Sequence, residues 1–280
     1  TERAYTDSFT PSEIDTIVKQ IGFDYQVVGH TGSVDGIRKI SERVVNIDVL
    51  TFATKQPQAL LVKPDGMYIV TLDTARTSLV DMFLSSENFE EYHCEHEEII
   101  AGINISNTFK LLKTITNNDV LSIEIVTKEY MNIEIASESK KTSTKFQLKL
   151  LDINESRIEV PEIEMSTVTT LPSTDFQRLC RDMSNIGTDI EIKRNEKEIR
   201  FSCQGDFANQ ETSIETPDES QEISGLYSLK YLNIFTKATS MCASVQIIQE
   251  TGNRFLILKY NVANLGELKF YLATKVSEDS

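Results

Sequence analysis

The densest run of metal-ligating chemistry in the chain is His93-Cys94-Glu95-His96. Read as part of a strand over residues 90–95, it turns His93 and Glu95 to one side and Cys94 and His96 to the other. Four ligands so arranged do not converge on one ion. The remaining histidine, His30, is distant in sequence, and the spacing matches no zinc pattern. No metal and no cofactor is therefore expected. The acid pairs Glu90-Glu91 and Glu97-Glu98 read as solvated strand ends rather than acid–base couples. Phosphate-cradling glycine loops and a GxSxG nucleophile elbow are both absent from the sequence, so no catalytic residue is assigned.

The chemistry that does recur is cationic. Four segments with helical apolar spacing carry Arg38, Lys39, Arg43, Lys110, Lys113, Arg178, Arg181, Lys230 and Lys237. Against these nine cations stand Asp35, Glu42, Asp175 and Asp182, a net of about +5 within a chain of formal charge −15. One basic helix face is ordinary solvation; four with the same bias point to a common basic surface suited to phosphates. That surface lacks the aromatic interleaving of single-strand binders. The acidic total argues against adhesion to nucleic acid through bulk charge.

The chain has 280 residues, 40% hydrophobic and 25% charged, which fits one large or two medium globular domains. No apolar run is long enough to span a membrane, and the opening TERAYTDSFTPSE has no secretion-signal core. The four cysteines, Cys94, Cys180, Cys203 and Cys242, are widely spaced and are expected to be reduced thiols.

The elements that must position the cations follow in order. Residues 10–22 predict a short helix: Thr10 and Glu13 form a capping box, Pro11 suits the first turn and Gly22 the stop. A strand is expected over 24–29 and a second helix over 33–48, on the stripe Val34, Ile37, Ile40, Val44 and Ile47. Alternating runs at 59–62 and 67–72 flank the turn Lys63-Pro64-Asp65-Gly66, and strands at 79–84 and 90–95 follow. A helix from Ser106 turns Phe109, Leu112 and Ile115 inward, before strands at 120–126, 131–136 and 145–151. The second half repeats the pattern: a helix over 171–185, a hairpin over 189–203, a polar loop over 215–221, a helix over 228–238, and strands at 243–249, 255–262 and 268–273.

Between the halves, residues 144–162 begin as an alternating strand and pass into a polar connector interspersed with Ile153, Ile158 and Val160. A mere spacer is more often Gly-, Ser- or charge-rich. These three side chains either pin the connector to the body or line a docking groove. The fold class is α+β: two duplicated domains, each with two helices packed on antiparallel sheets. The divisions are 1–22, an N-terminal extension; 23–150, the first domain; 151–166, the connector; 167–276, the second domain; and 277–280, a polar tail.

Together these features resemble the proliferating cell nuclear antigen family of DNA sliding clamps. The run from Leu171 to Gly187, LPSTDFQRLCRDMSNIG, is similar to the family's P-S-x-E-F-x-R-I-C-R-D-L-S-x-I-G. YLNIFTKAT from Tyr231, LKFYLA from Leu268, KLLD from Lys149 and Val160-Pro-Glu162 are further matches, and the resemblance spans about residues 24–276. It departs where Arg76 and Thr77 stand for a family His and Val, and where Thr274 replaces a common Pro.

The resemblance implies a homotrimer closed head-to-tail, forming a pseudo-sixfold ring with helices lining a hole around duplex DNA. It implies tethering of DNA polymerase, a clamp loader and other proteins bearing short apolar-aromatic motifs. The DNA-facing residues would be Lys110, Lys113, Arg178, Arg181, Lys230 and Lys237, with Arg38, Lys39 and Arg43. The partner groove would comprise Leu72, Leu79, Ile153, Ile158, Val160, Tyr271 and Ala273. Subunits would join the strand bearing Lys145 and Phe146 to the segment bearing Gly205 and Phe207. The expected site of action is the nucleus, or a cytoplasmic replication site if the protein is viral. The alternatives are a subunit of a heteromeric checkpoint clamp, a monomeric or dimeric processivity factor, and, from another class, a metal-dependent DNA-processing enzyme using His93 and His96.

Overall fold

Alternation of apolar and polar side chains, joined by short turns, builds most of the protein. The computed structural model describes residues 36–38, 57–115, 119–137, 140–153, 158, 160, 165–216, 222–250, 252, 254–262 and 265–275. Its strands are β1 (Gly36–Arg38), β2 (Gln58–Lys63), β3 (Gly66–Leu72), β4 (Ser78–Ser85), β5 (Glu91–Tyr92), β6 (Ile99–Ile103), β7 (Asp119–Ile125), β8 (Tyr130–Ser137) and β9 (Thr142–Lys149) in the first half. The second half supplies β10 (Met165–Pro172), β11 (Asp189–Arg194), β12 (Glu198–Gln204), β13 (Asn209–Glu215), β14 (Ile223–Ser228), β15 (Ser244–Glu250), β16 (Phe255–Val262) and β17 (Gly266–Ala273). The described helices are α1 (Ile105–Leu112), α2 (Ser173–Ser184) and α3 (Leu229–Phe235), the last continued by a 3-10 turn over Thr236–Met241.

Among the described residues every strand ladder is antiparallel, and the strands form three sheets in the orders β5-β1-β7-β8-β9, β10-β15-β16-β17-β4-β3-β2-β6 and β13-β12-β11-β14. The middle sheet joins the halves. β17 pairs with β4 from Leu272 opposite Ser78 to Gly266 opposite Leu84, so backbone hydrogen bonds bind the last strand of the chain to its first half. The turn at Pro64-Asp65 needs Gly66, whose φ of 151° lies where side chains are disfavoured; a Cβ there would stand 2.1 Å from the Leu84 carbonyl oxygen.

One face of the sheets packs with the helices into a core running through both halves. α1 contributes Ile105 and Leu112, α2 Phe176, Cys180 and Met183, and α3 Leu229, Leu232 and Phe235. Phe235 stacks on Phe270 of β17 at 4.6 Å between ring centroids, and Tyr260 meets Phe270 edge-on at 5.9 Å. Each such aromatic, fully buried, stabilises by roughly 1.5–3 kcal/mol.

Three expected elements are corrected. The helix expected over 33–48 is not helical at Gly36–Arg38, which is a strand paired with β5 on one side and β7 on the other. Two waiting ladder partners override a helical stripe that Gly36 already weakens. The strand expected over 90–95 shrinks to Glu91–Tyr92. There the Tyr92 hydroxyl donates to the carbonyls of Lys63 (2.5 Å) and Gly66 (2.8 Å), and the residues after it leave the ladder. The helix over 228–238 tightens to 3-10 geometry after Phe235. β6, β10 and β14 were not anticipated. The expected helix over 10–22 and strand over 24–29 lie outside the described residues, as do 217–221 of the polar loop.

Candidate functional site

α2 exposes cations because its other face is committed. Ser173, Phe176, Cys180 and Met183 are buried at helical spacing, which leaves Arg178 and Arg181 in solvent. Arg178 pairs with Asp175 one turn earlier at 3.0 Å. α3 repeats the logic, burying Leu229, Leu232 and Phe235 and exposing Lys230. Lys237 is exposed on the 3-10 turn.

Polar bonds lock these segments together. The Asn233 side chain donates to the carbonyls of Leu229 (2.9 Å) and Cys180 (3.5 Å) and to the Ser184 hydroxyl. Gln177 donates to the Thr236 carbonyl at 2.8 Å, and Thr239 to that of Ser173 at 3.2 Å. Thr236-Lys237 therefore lies beside Gln177, one helical turn before Arg181. In the first half, Asn104 caps α1 by accepting from the Asn107 amide at 3.0 Å, and Lys110 and Lys113 are exposed.

The described helical segments thus carry six cations against Asp175 and Asp182, a net of about +4. Arg38 is not on a helix: it sits on β1, opposite Glu91 and Ser122 in a sheet interior, which removes the basis for grouping it with the helical cations. Lys39 and Arg43 lie outside the described residues.

A second, smaller apolar cluster occupies the middle sheet apart from the main core. Leu79, Ile248, Ile257 and Tyr271 are buried, and Val70, Leu72, Ile158 and Val160 pack partly buried against them. The connector thus lays Ile158 and Val160 onto strands from both halves. Burial pushes the Tyr271 hydroxyl up to about 12, with Asp81 and Glu267 adding to the rise, so the group stays neutral. Sequence reading missed Val70, Ile248 and Ile257; their alternation announces strands without saying which face a connector covers.

Neither Ile153 nor Ala273 is a member of this cluster, although Ala273 follows Tyr271 by two residues on the same face of β17. Leu151 donates its amide to the Gly102 carbonyl at 2.8 Å, and a Cβ built on Gly102 would meet Ile153 at 2.7 Å, so Ile153 lies over β6. Ala273 is half-buried and donates its amide to Thr77 at 2.9 Å.

Two sheets end in exposed edges. β9 closes one side of the first-half sheet, with Lys145 exposed and Phe146 turned toward the core. β13 closes one side of the small second-half sheet, and Phe207, just before it, is 77% exposed. Gly205 lies so close to Ile186 that a Cβ would stand 1.9 Å from its carbonyl oxygen.

At the histidine run, His93 Nε2 lies 3.1 Å from Glu95, and the Cys94 thiol is turned toward the carbonyls of His96 and Val62. Among the described residues, no group of three or more His, Cys, Asp or Glu could hold a metal ion.

Comparison with known proteins agrees with this architecture. The sequence model for the N-terminal domain of proliferating cell nuclear antigen matches residues 48–157, and that for its C-terminal domain matches 159–275. The chain belongs to the proliferating cell nuclear antigen family. Among its relatives, a Paramecium bursaria Chlorella virus 1 protein named "Probable DNA polymerase sliding clamp 1" is 38% identical over 227 residues, 76% of this chain and 86% of the relative. The proliferating cell nuclear antigen of Chaetomium thermophilum is 31% identical over 227 residues, 76% of this chain and 87% of the relative.

Two departures from the family pattern have visible local structure. Arg76 adopts φ 55° at the tip of the turn between β3 and β4, where Asp73 accepts amides from Ala75 (3.2 Å), Thr77 (2.7 Å) and Ser78 (2.7 Å). Thr274 donates its amide to the Arg254 carbonyl at 3.0 Å, a bond that the proline common at this family position cannot make.

Proposed function

We propose that this protein is a DNA sliding clamp, which encircles duplex DNA and tethers DNA polymerase and other replication and repair proteins without catalysis of its own. The observation that carries the reading is the pairing of two tandem family domains with exposed helical cations in a chain of formal charge −15. Lys110, Lys113, Arg178, Arg181, Lys230 and Lys237 would meet phosphates without reading bases, which permits sliding. Retention is then topological. Residues 23–150 and 167–276 are the two domains, bridged at 151–166, with 1–22 as an extension and 277–280 as a tail.

Three copies would close the ring, and the cluster of Leu72, Leu79, Ile158, Val160 and Tyr271 would receive an apolar-aromatic segment of the polymerase or the clamp loader. The protein acts wherever its DNA is copied, in the nucleus or, for a viral version, at a cytoplasmic replication site.

The test joins mass to topology. Light scattering at micromolar concentration should give three subunits, and protein loaded on end-blocked DNA should stay bound until the DNA is cut. A lone monomer, or retention that cutting leaves unchanged, would overturn the reading.

A further inference from the structure

One face of the middle sheet carries an apolar row that crosses six strands. Leu72 of β3 stands directly opposite Leu79 of β4, Leu79 opposite Tyr271 of β17, and Tyr271 opposite Ile257 of β16. Ile257 in turn stands opposite Ile248 of β15, and Ile248 opposite Val168 of β10. At ordinary strand spacing the row is about 24 Å long, the reach of about seven extended residues. Ile158 and Val160 pack against it. Val168, at the far end, is 43% exposed.

The charges that border this row are committed to one another, with one exception. On one side, Asp81 stands opposite Lys269 and Lys269 opposite Lys259. Glu267 holds both lysines, Lys259 at 2.9 Å and Lys269 at 2.8 Å. On the other side, Arg254 lies over the Phe255 ring at 5.7 Å, and Glu250 holds its Nε at 3.2 Å. The exception is Arg76, at the tip of the turn that joins Leu72 to Leu79. Its side chain is exposed, and among the described residues no ion pair or side-chain hydrogen bond holds it. The nearest acid in sequence, Asp73, is already engaged: it accepts the amides of Ala75, Thr77 and Ser78 and the Tyr231 hydroxyl. The backbone at Arg76 has φ 55°, where glycine fits more easily. The turn thus presents an uncommitted guanidinium at one end of an apolar row.

We infer that Arg76 selects among docking partners by taking a carboxylate that flanks the partner's apolar anchors. This rests on the docking reading above and adds its charge selectivity. The occupant is a short protein segment whose apolar side chains lie along the row from Leu72 toward Val168, with Asp or Glu at the end that reaches the turn between β3 and β4. The selection is local. At long range the formal charge of −15 acts the other way and favours basic segments. At contact, a guanidinium meets a carboxylate through two parallel hydrogen bonds. The pair is exposed, so its effect is several-fold rather than large, and it weakens as salt rises.

The experiment uses fluorescent peptides that share one apolar-aromatic core and carry Glu, Gln or Lys on one flank or the other. Anisotropy gives their affinities for the wild type, Arg76→Gln and Arg76→Glu. Each Gln peptide is the reference for its protein, so a general change in the groove cancels in the ratios. On one flank the wild type should bind Glu about three- to fivefold tighter than Lys at low salt. Arg76→Gln should abolish that preference, Arg76→Glu should reverse it, and added salt should shrink it. Ratios on the other flank report the long-range field and should be the same in all three proteins. Glu-to-Lys ratios that neither substitution changes on either flank overturn the inference alone. So does weaker retention of Arg76→Glu on end-blocked DNA with peptide ratios unchanged, which assigns the cation to phosphate instead. A wild type that binds none of the peptides overturns the docking reading and this inference with it.

Discussion

The Tyr231 hydroxyl donates to the Asp73 carboxylate at 2.7 Å across 158 residues of sequence. Asp73 belongs to the turn between β3 and β4, beside Leu72 of the apolar cluster; Tyr231 belongs to α3, beside exposed Lys230. The bond therefore ties the first half to a helix of the second and links the surface proposed for partners with the surface proposed for DNA. Asp73 is 7% exposed and fully engaged by three backbone amides and this hydroxyl.

Tyr231→Phe keeps the ring beside Phe235 and removes only the donor. A hydrogen bond to a charged group contributes about 1.5–3 kcal/mol, and the remaining amides on Asp73 hold the loss toward the lower end. Thermal unfolding should fall by about 3–6 °C for a chain of this size. An unchanged midpoint would show that the two halves do not depend on this contact.

The same pair predicts a pH profile. Burial alone would raise the Asp73 carboxyl, but the Ser78 amide, the Tyr231 hydroxyl and the Thr77 and Ala75 amides outweigh it and hold the group below its ordinary value. A depressed folded value contributes stability above the unfolded pKa of about 3.9, lost as pH falls through the folded value. Burial, then Asp73, raises the Tyr231 hydroxyl. That contribution is present below about pH 10 and lost as pH rises through the raised folded value. Asp73→Asn should lower the unfolding midpoint at pH 7, and the gap to the wild type should close as pH falls below about 4. A gap constant across pH would exclude the carboxylate as its cause.

How much of this was legible follows from what each signal depends on. β16 was readable to the residue because its apolar run, Phe-Leu-Ile-Leu passing into alternation through Tyr260 and Val262, is local and both ends carry turn residues. β10 was missed because its Ser and Thr content reads as a loop, and its one pairing partner, β15, lies about eighty residues away. β6, Ile-Ile-Ala-Gly-Ile, lacks alternation altogether. At β1 the helical stripe was present, and ladder partners from distant segments decided otherwise. The cations on α2 and α3 were readable because burial of one helical face exposes the other. Ile248 and Ile257 were not readable as part of the apolar cluster, since only tertiary packing lays the connector over them. No local spacing could announce the Asp73–Tyr231 bond.

Gly102 holds the start of the connector. Its carbonyl accepts the Leu151 amide at 2.8 Å, and an added Cβ would stand 2.0 Å from the Leu151 carbonyl oxygen. Since backbone cannot yield as a side-chain tip can, Gly102→Ala should displace the connector at Leu151 and Ile153. Hydrogen exchange at the Leu151 amide should speed up while the β7–β8 ladder keeps its protection. Unchanged exchange at Leu151 would show that the connector is held by its later residues.

Those later residues are Ile158 and Val160. Ile158→Glu places a charge against Leu79, Ile248, Ile257 and Tyr271, an environment that disfavours an unpaired carboxylate. Binding of a short apolar-aromatic peptide should weaken at least about tenfold, in line with loss of a central anchor. Polymerase-independent retention on end-blocked DNA should be unaffected. Peptide affinity equal to the wild type would place the docking surface elsewhere.

Arg181 and Lys237 test the opposite wall. Both are exposed, on segments joined by the Gln177–Thr236 bond of 2.8 Å, so a reversal at each changes charge with little change in packing. The double variant Arg181→Glu, Lys237→Glu should stimulate a polymerase on primed DNA about tenfold less at low salt. The deficit should narrow as added salt screens the wild type's own phosphate contacts. Native mass should equal the wild type's, since neither residue lies on β9 or β13. Full stimulation with unchanged salt dependence would remove both from the DNA-facing surface; a fall in mass would mean that α2 and the 3-10 turn serve assembly instead.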